Sequence, residues 1–527
     1  MMRAIRVVAA LILAVAFLPF SVPASASPQW VAEPVSALAA ASLGWGPCPS
    51  DPGVECAVAA VPLDYSKPSS ERIALEVGRI PATGSAARGA IFYNPGGPGL
   101  SPVQGLASFA ARLSPHVRRD YDIVGVDPRG VGGSDALPCG TVASTAPSTS
   151  YSVFPTNADQ LAEQFGRGDP WLLGTCDFSS SPLFEHMGSV DAAEDIEAVR
   201  KLLHVDKIDY FGVSYGAVIG DVYSQLFPAH LRTLTQDSAV DARDWYGRNR
   251  GDSLWARLDA SAYSEDVLTD LFQACESAGG TCPWASTTRS DYAHVVAALR
   301  TGDVSIAGVG TFDTSAFQAE VVAALYRFNL NGTDDYETLF SFIHLLALAS
   351  SGSTTQQSEP NAVASPAARI ELGDLPRDPT IAKMLTVDAV TCADSREPAR
   401  PEQWFRAAAT AEANSPGFGY YWVSQDIICS SWPVARNTVA DDLGHKKIDV
   451  PFLSLSNIHD PVVGEWDADR VHDLGASGST VVVTDGWGHG ALRSSSCAAS
   501  AFSKYVASDI LPPAPVRCGT DRPPFTG

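Results

Sequence analysis

Up to about residue 240, short apolar runs alternate along the chain with stretches of helical period. Residues 59–63 and 73–77 read as early strands, the first weakened by Pro62, which has no N–H to give to a ladder. Residues 89–93, 121–127, 209–213 and 231–239 read as further strands. Between them, residues 190–203 set Ile196, Val199, Leu202 and Leu203 on one helical face, with Ser189 as the N-cap, and residues 217–227 continue as a helix after strand 209–213. Strand and helix in turn predict an α/β fold with a mostly parallel sheet covered by helices on both faces.

The period then changes. From 241 to 440 it is mostly helical, as in 265–274, 292–299 and 316–328, with a Ser/Thr/Gln-rich loop at 350–358. Strand-type runs resume only at 450–455 and 480–484. The division expected is a signal peptide at 1–26, a first core part at 27–240, a mainly helical inserted cap at 241–440, and the rest of the core at 441–527. An independent second domain is the alternative to a cap.

The ends of the predicted strands carry the chemistry. Strand 209–213 runs into Gly212-Val213-Ser214-Tyr215-Gly216, a G-x-S-x-G pattern. In that pattern a serine sits on a sharp strand-to-helix turn, its hydroxyl raised above the sheet, and glycines on either side let neighbouring backbone crowd in. Strand 89–93 ends in Asn94-Pro95-Gly96-Gly97-Pro98-Gly99, whose bare backbone N–H groups suit an oxyanion. Strand 450–455 leads to Asp460, and strand 480–484 leads to Gly488-His489-Gly490. The order Ser, Asp, His is that of the α/β-hydrolase triad. Ser214 is thus the candidate nucleophile, His489 the general base and Asp460 the residue that orients the imidazole. His459 and His472 compete with His489, and Asp467, Asp469 and Asp485 with Asp460. The turn 128–134 is glycine-rich but forms neither G-x-G-x-x-G nor a P-loop, so it reads as structural.

Composition narrows the setting. The chain has 527 residues, 45% hydrophobic and 18% charged, long enough for a large core plus an insertion. A net charge of −23 argues against nucleic acid or an anionic membrane as partner. Arg3 and Arg6, the apolar run 7–18 and Ala24-Ser25-Ala26 read as an export signal with its cleavage site. That apolar run is too short for a comfortable membrane span, and no cysteine stands at the cleavage site to take a lipid. Ten cysteines agree with an oxidising compartment. Cys48 with Cys56 and Cys275 with Cys282 suggest local bridges, and neighbour-to-neighbour pairing is assumed for the rest. No C-x-x-C is present, and neither metal nor organic cofactor is expected.

Taken together, 94–99, 127–130, 212–216, Asp460-Pro461-Val462 and 488–490 resemble the secreted tripeptidyl aminopeptidases, α/β-hydrolases related to proline iminopeptidase. The resemblance runs over nearly all of the mature chain. It implies a serine exopeptidase acting near free N-termini, with Ser214, Asp460 and His489 as triad and the backbone N–H groups of Gly97 and Tyr215 as oxyanion hole. The chain departs from many relatives in following Asp-Pro-Val with Val463-Gly464 rather than Thr-Pro. An ester hydrolase with the same triad and a non-catalytic binding protein on the same fold are the alternative readings. A peptide or small acyl compound is the expected substrate. An aminopeptidase also needs an acidic group for the substrate ammonium, and the cap offers several, Asp394 among them.

Overall fold

The computed structural model describes residues 43–139, 155–167, 176–247, 251–306, 309–327, 335–351, 381–438, 442–443, 446–466, 468–475, 478–513 and 516–526. The expected signal peptide and most of the loop at 350–358 lie outside the described residues. One sheet organises the chain. Its strands are β1 (Gly46–Pro47), β2 (Glu55–Pro62), β3 (Arg72–Ile80), β4 (Gly89–Asn94), β5 (Tyr121–Val126), β6 (Ile208–Val213), β7 (Leu231–Asp237), β10 (Phe452–His459), β11 (Thr480–Trp487) and β12 (Val516–Cys518). They lie in the order β1-β2-β3-β5-β4-β6-β7-β10-β11-β12. The first three pairings are antiparallel and every later one is parallel.

Parallel strands buried on both faces need apolar residues pointing each way. In β4, Ala90 and Phe92 join one buried cluster while Ile91 and Tyr93 join the other. In β6, Tyr210 faces the first and Phe211 and Val213 the second. The first face is covered by the helices Ser189–Leu202 and Tyr215–Leu226, through Ile196, Val199, Val218 and Val222. The second is covered by Pro102–Ala110 and Ser496–Ser508, through Leu106, Phe109, Phe502 and Tyr505.

Between β7 and β10 the described residues are mainly helical, including Ala260–Ala278, Thr288–Leu299, Thr314–Arg327 and Ile381–Asp394. A short antiparallel hairpin, β8 (Val304–Ile306) with β9 (Gly310–Phe312), interrupts them; three-residue strands leave too short a pattern to read from sequence. Leu268, Phe317 and Phe340 of this segment share one buried cluster with Val462 and Trp487. The segment also reaches the loops at the carboxyl ends of the parallel strands. Ser264 Oγ donates to the Pro461 carbonyl at 2.7 Å, and Thr386 Oγ1 to that of Gly130 at 3.0 Å.

Several boundaries differ from the sequence expectation. The helix expected to be capped by Ser189 has Gly188 at its N-cap. Ser189 instead gives its own N–H and Oγ to the buried carboxylate of Asp394. The strand expected to reach 239 stops at Asp237, because Ser238 turns the chain at φ 46°. β10 and β11 run on to His459 and Trp487. Five disulfides, Cys48–Cys56, Cys139–Cys176, Cys275–Cys282, Cys392–Cys429 and Cys497–Cys518, pair each cysteine with its neighbour in the chain. Among the described residues no helix is long and apolar enough to cross a membrane.

Candidate active site

All six residues of β6 are buried, and the strand ends at Ser214 with φ 56° and ψ −123°. A non-glycine residue in that region costs on the order of 1–2 kcal/mol. Packing imposes it. A Cβ on Gly212 would stand 2.3 Å from the Gly216 carbonyl oxygen, and one on Gly216 would stand 2.6 Å from that of Asn94. A Cβ on Gly96 would meet the Val213 carbonyl at 2.3 Å and Ser214 Cβ at 3.1 Å. The glycines therefore let the loop after β4 lie directly against the elbow. Gly96, Gly97 and Gly99 all have positive φ there, and Asn94 Oδ1 accepts from the Gly96 N–H at 2.8 Å. The backbone N–H groups of Gly97 and Tyr215 have no acceptor among the described residues.

Asp460 and His489 meet at the ends of β10 and β11. His489 Nδ1 lies 2.9 Å from Asp460 Oδ2 and 3.1 Å from Oδ1. Asp460 is only 1% exposed, and its Oδ1 also accepts from the N–H groups of Val462 and Val463 at 3.0 and 3.3 Å. The His489 N–H donates to the Tyr326 carbonyl at 3.1 Å, and the Tyr326 ring lies 4.8 Å from the imidazole. Gly488 is held from both sides: its N–H donates to the His459 carbonyl, and its carbonyl accepts from Asn457 Nδ2. With Nδ1 on a carboxylate, Nε2 is the free ring nitrogen; it is buried and has no hydrogen-bond partner among the described residues.

No hydrogen bond joins Ser214 Oγ to that nitrogen in the structure; two residues at the end of β7 connect the two segments instead. The Ser214 N–H donates to the Asp237 carbonyl at 3.0 Å. The Asp237 carboxylate accepts from Ala491 and Leu492 at 2.6 and 3.0 Å, and Ser238 Oγ accepts from Gly490 at 2.8 Å. Burial pushes the Asp237 carboxyl up to about 6, against the two N–H groups that favour its charge. Asp237, Ser238 and Tyr326 were not picked out from sequence. The only signal for the first two is a polar Gln-Asp-Ser end on an apolar strand.

The competing residues lie elsewhere. His459 stacks on Trp487 with ring centres 3.7 Å apart and faces Asp270 at 3.2 Å. Asp485 and Asp469 are exposed. Asp467 and the side chain of His472 lie outside the described residues. Asp394 is enclosed: it accepts from the Ser189 N–H and Oγ and from Trp245 Nε1, and Ser189 Oγ lies 2.9 Å from the Tyr215 hydroxyl. Its carboxylate ties the helix Ile381–Asp394 to the elbow and, fully buried, is not open to a substrate ammonium. The turn after β5 is structural: Arg129 gives Nε and Nη2 to Asp195 at 2.8 and 2.9 Å, and Asp127 accepts from Ser101, Val103 and Gly133.

A strained serine between β6 and its helix, beside an Asp–His pair on later strands of the same sheet, defines an α/β-hydrolase. The family model described as alpha/beta hydrolase fold matches residues 89–274, and the one described as TAP-like protein matches 414–518. The chain has the α/β-hydrolase fold, with a TAP-like match in its C-terminal part. It is 35% identical over 232 residues to a tripeptidyl aminopeptidase of Streptomyces lividans, covering 40% of this chain and 41% of that one. It is 33% identical over 254 residues to the serine protease Hip1 of Mycobacterium tuberculosis, covering 45% and 46%. A Mycobacterium tuberculosis protein named carboxylesterase B is 26% identical over 481 residues, 88% of this chain and 86% of that one. The chain thus spans less than half the length of the two peptidases it matches.

Proposed function

We propose that the chain is an exported serine hydrolase of the peptidase type, releasing short peptides from free N-termini through an acyl-enzyme. The observation that carries this reading is the buried, unpartnered Nε2 of His489, held by Asp460 and tied through Asp237 and Ser238 to the backbone of a strained Ser214. In the reaction, Ser214 Oγ attacks the acyl carbonyl while His489 Nε2 takes its proton. The N–H groups of Gly97 and Tyr215 receive the oxyanion. His489 then passes the proton to the leaving amine, the C–N bond breaks, and the acyl group stays on Ser214. Water, deprotonated by the same nitrogen, releases the acid and restores the hydroxyl. An unliganded serine–histidine contact often tightens only when substrate binds, so an open contact at rest suits this scheme.

The helices between β7 and β10 form the cap, with tripeptide selection lying on its inner face. Export is supported by the sequence pattern of residues 1–26 and by the five disulfides. The carboxylesterase B likeness, which spans most of both chains, favours a second reading in which small acyl esters are the substrate. Tripeptidyl and aminoacyl amides assayed beside short acyl esters, with Ser214→Ala as blank, separate the two. Amide turnover that requires a free N-terminus supports the peptidase. Turnover of esters alone supports the esterase.

A further inference from the structure

The sheet face covered by Pro102–Ala110 and Ser496–Ser508 carries two guanidiniums that the chemistry above does not use. Arg112 follows the first of these helices, and Arg493 sits on the short helix Ala491–Ser494, directly after His489 and Gly490. Both are half-buried, and neither side chain has a hydrogen-bond or ion-pair partner among the described residues. They line one small pocket whose enclosed space is only about 10 Å³, room for roughly one water-sized body. Its other walls include Tyr93, Phe109, Val213 and Asp237. Arg493 folds back along the His489 segment, since a Cβ on Gly490 would lie 3.5 Å from its Cδ.

The charges in this pocket do not balance. Asp237 is its carboxylate, and both of its oxygens are already engaged by the N–H groups of Ala491 and Leu492. Two guanidiniums therefore face one committed carboxylate, leaving one positive charge in surplus. Burial and the nearby Arg493 both push the Arg112 guanidinium down. A chain of net charge −23 has carboxylates to spare, yet among the described residues none but Asp237 is placed against either arginine. A single small negative charge from solution would complete the set. Besides the guanidiniums the walls carry the hydroxyls of Tyr93 and Ser108, and it is the small enclosed space that favours a single-atom ion over a tetrahedral oxyanion.

We propose that this pocket binds a small monovalent anion of the halide class between Arg112 and Arg493, and that the ion steadies the segment carrying His489. The effect on turnover rests on the catalytic reading given above, while binding itself does not.

The test uses the full mature chain at constant ionic strength, with sodium chloride exchanged for sodium gluconate, whose anion is too large for the pocket. Chloride should raise the unfolding midpoint by about 2–3 °C in a saturable way. It should also raise acyl-ester turnover about fivefold, within the usual range of coupling between sites. Ser214→Ala should keep the midpoint shift without turnover, so a failed catalytic reading would show separately. Arg112→Met and Arg493→Met should each abolish the chloride-specific shift. No difference between chloride and gluconate, or an unchanged shift in both variants, overturns the proposal. A larger shift with inorganic phosphate than with chloride overturns the halide assignment. A shift with no change in turnover overturns the steadying role. Should either variant fail to fold, a crystal of the unaltered chain grown in sodium bromide decides the matter: anomalous signal between the two guanidiniums supports the site, and its absence there overturns it.

Discussion

Asp460 performs two tasks with one carboxylate, and a conservative substitution can separate them. Its Oδ1 accepts from the N–H groups of Val462 and Val463, while both oxygens face His489 Nδ1. In Asp460→Asn the amide oxygen still serves the two backbone donors, so the turn keeps its shape. The NH₂ group, however, then points at Nδ1 and forces that nitrogen to be the acceptor. The proton moves to Nε2, where it blocks transfer from Ser214. Loss of about 10⁴ in kcat is expected, with the unfolding midpoint shifted by little. Steady-state kinetics beside thermal unfolding check this, and retention of a tenth of the activity would remove Asp460 from the proposed role. The strand ends carrying Ser214, Asp460 and His489 were legible from sequence because each follows its own local apolar run. Asp237 and Tyr326 were not, because their contacts with the His489 segment depend on pairings and packing between residues far apart in the chain.

The elbow depends on two elements interlocking, the turn after β6 and the loop after β4. Gly216 stands where a Cβ would lie 2.6 Å from the Asn94 carbonyl oxygen, a backbone atom that cannot swing away. Gly216→Ala must push the two apart. We expect a loss of about 1–3 kcal/mol, the range for overpacking, together with a fall in kcat because the proposed oxyanion donors sit on these same two elements. Gly46→Ala is the control: its Cβ would meet nothing within 4 Å, and it should stay within about ±0.5 kcal/mol. Urea unfolding of both variants makes the comparison. The glycine pattern could be read from sequence because it is a local requirement. The N-cap of Ser189–Leu202 could not: the group that takes the Ser189 donors is Asp394, 205 residues further along the chain. A serine before a helical run is a sound local signal for a cap, but here the tertiary partner outranks it.

At the scale of the whole molecule, buried carboxylates set how stability follows pH. Burial pushes Asp127 up to about 7, Asp209, Asp237 and Asp394 up to about 6, and Glu194 and Glu320 up to about 7. Each holds a proton in the folded chain at a pH where the unfolded chain has released it. Between about pH 4 and 7 the folded state therefore binds more protons, and stability falls as pH rises through that window. His186, raised by its hydrogen bond to Asp191, acts in the same direction, while His459, pushed down by burial, acts against it. Below the ordinary carboxylate range the balance reverses, because Glu197, held to about 2 by its hydrogen bonds to Arg200 and Lys201 despite burial, and Asp241, lowered chiefly by Arg243, lose their partners on protonation. The net charge of −23 adds self-repulsion that grows as carboxylates ionise. The unfolding midpoint should therefore peak at about pH 4 and decline toward pH 8. Added salt should recover more of the midpoint at pH 8 than at pH 5, since it screens the repulsion. Thermal unfolding across that range at two ionic strengths tests both statements, and a midpoint that climbs steadily to pH 8 would mean the surface ion pairs outweigh the buried acids.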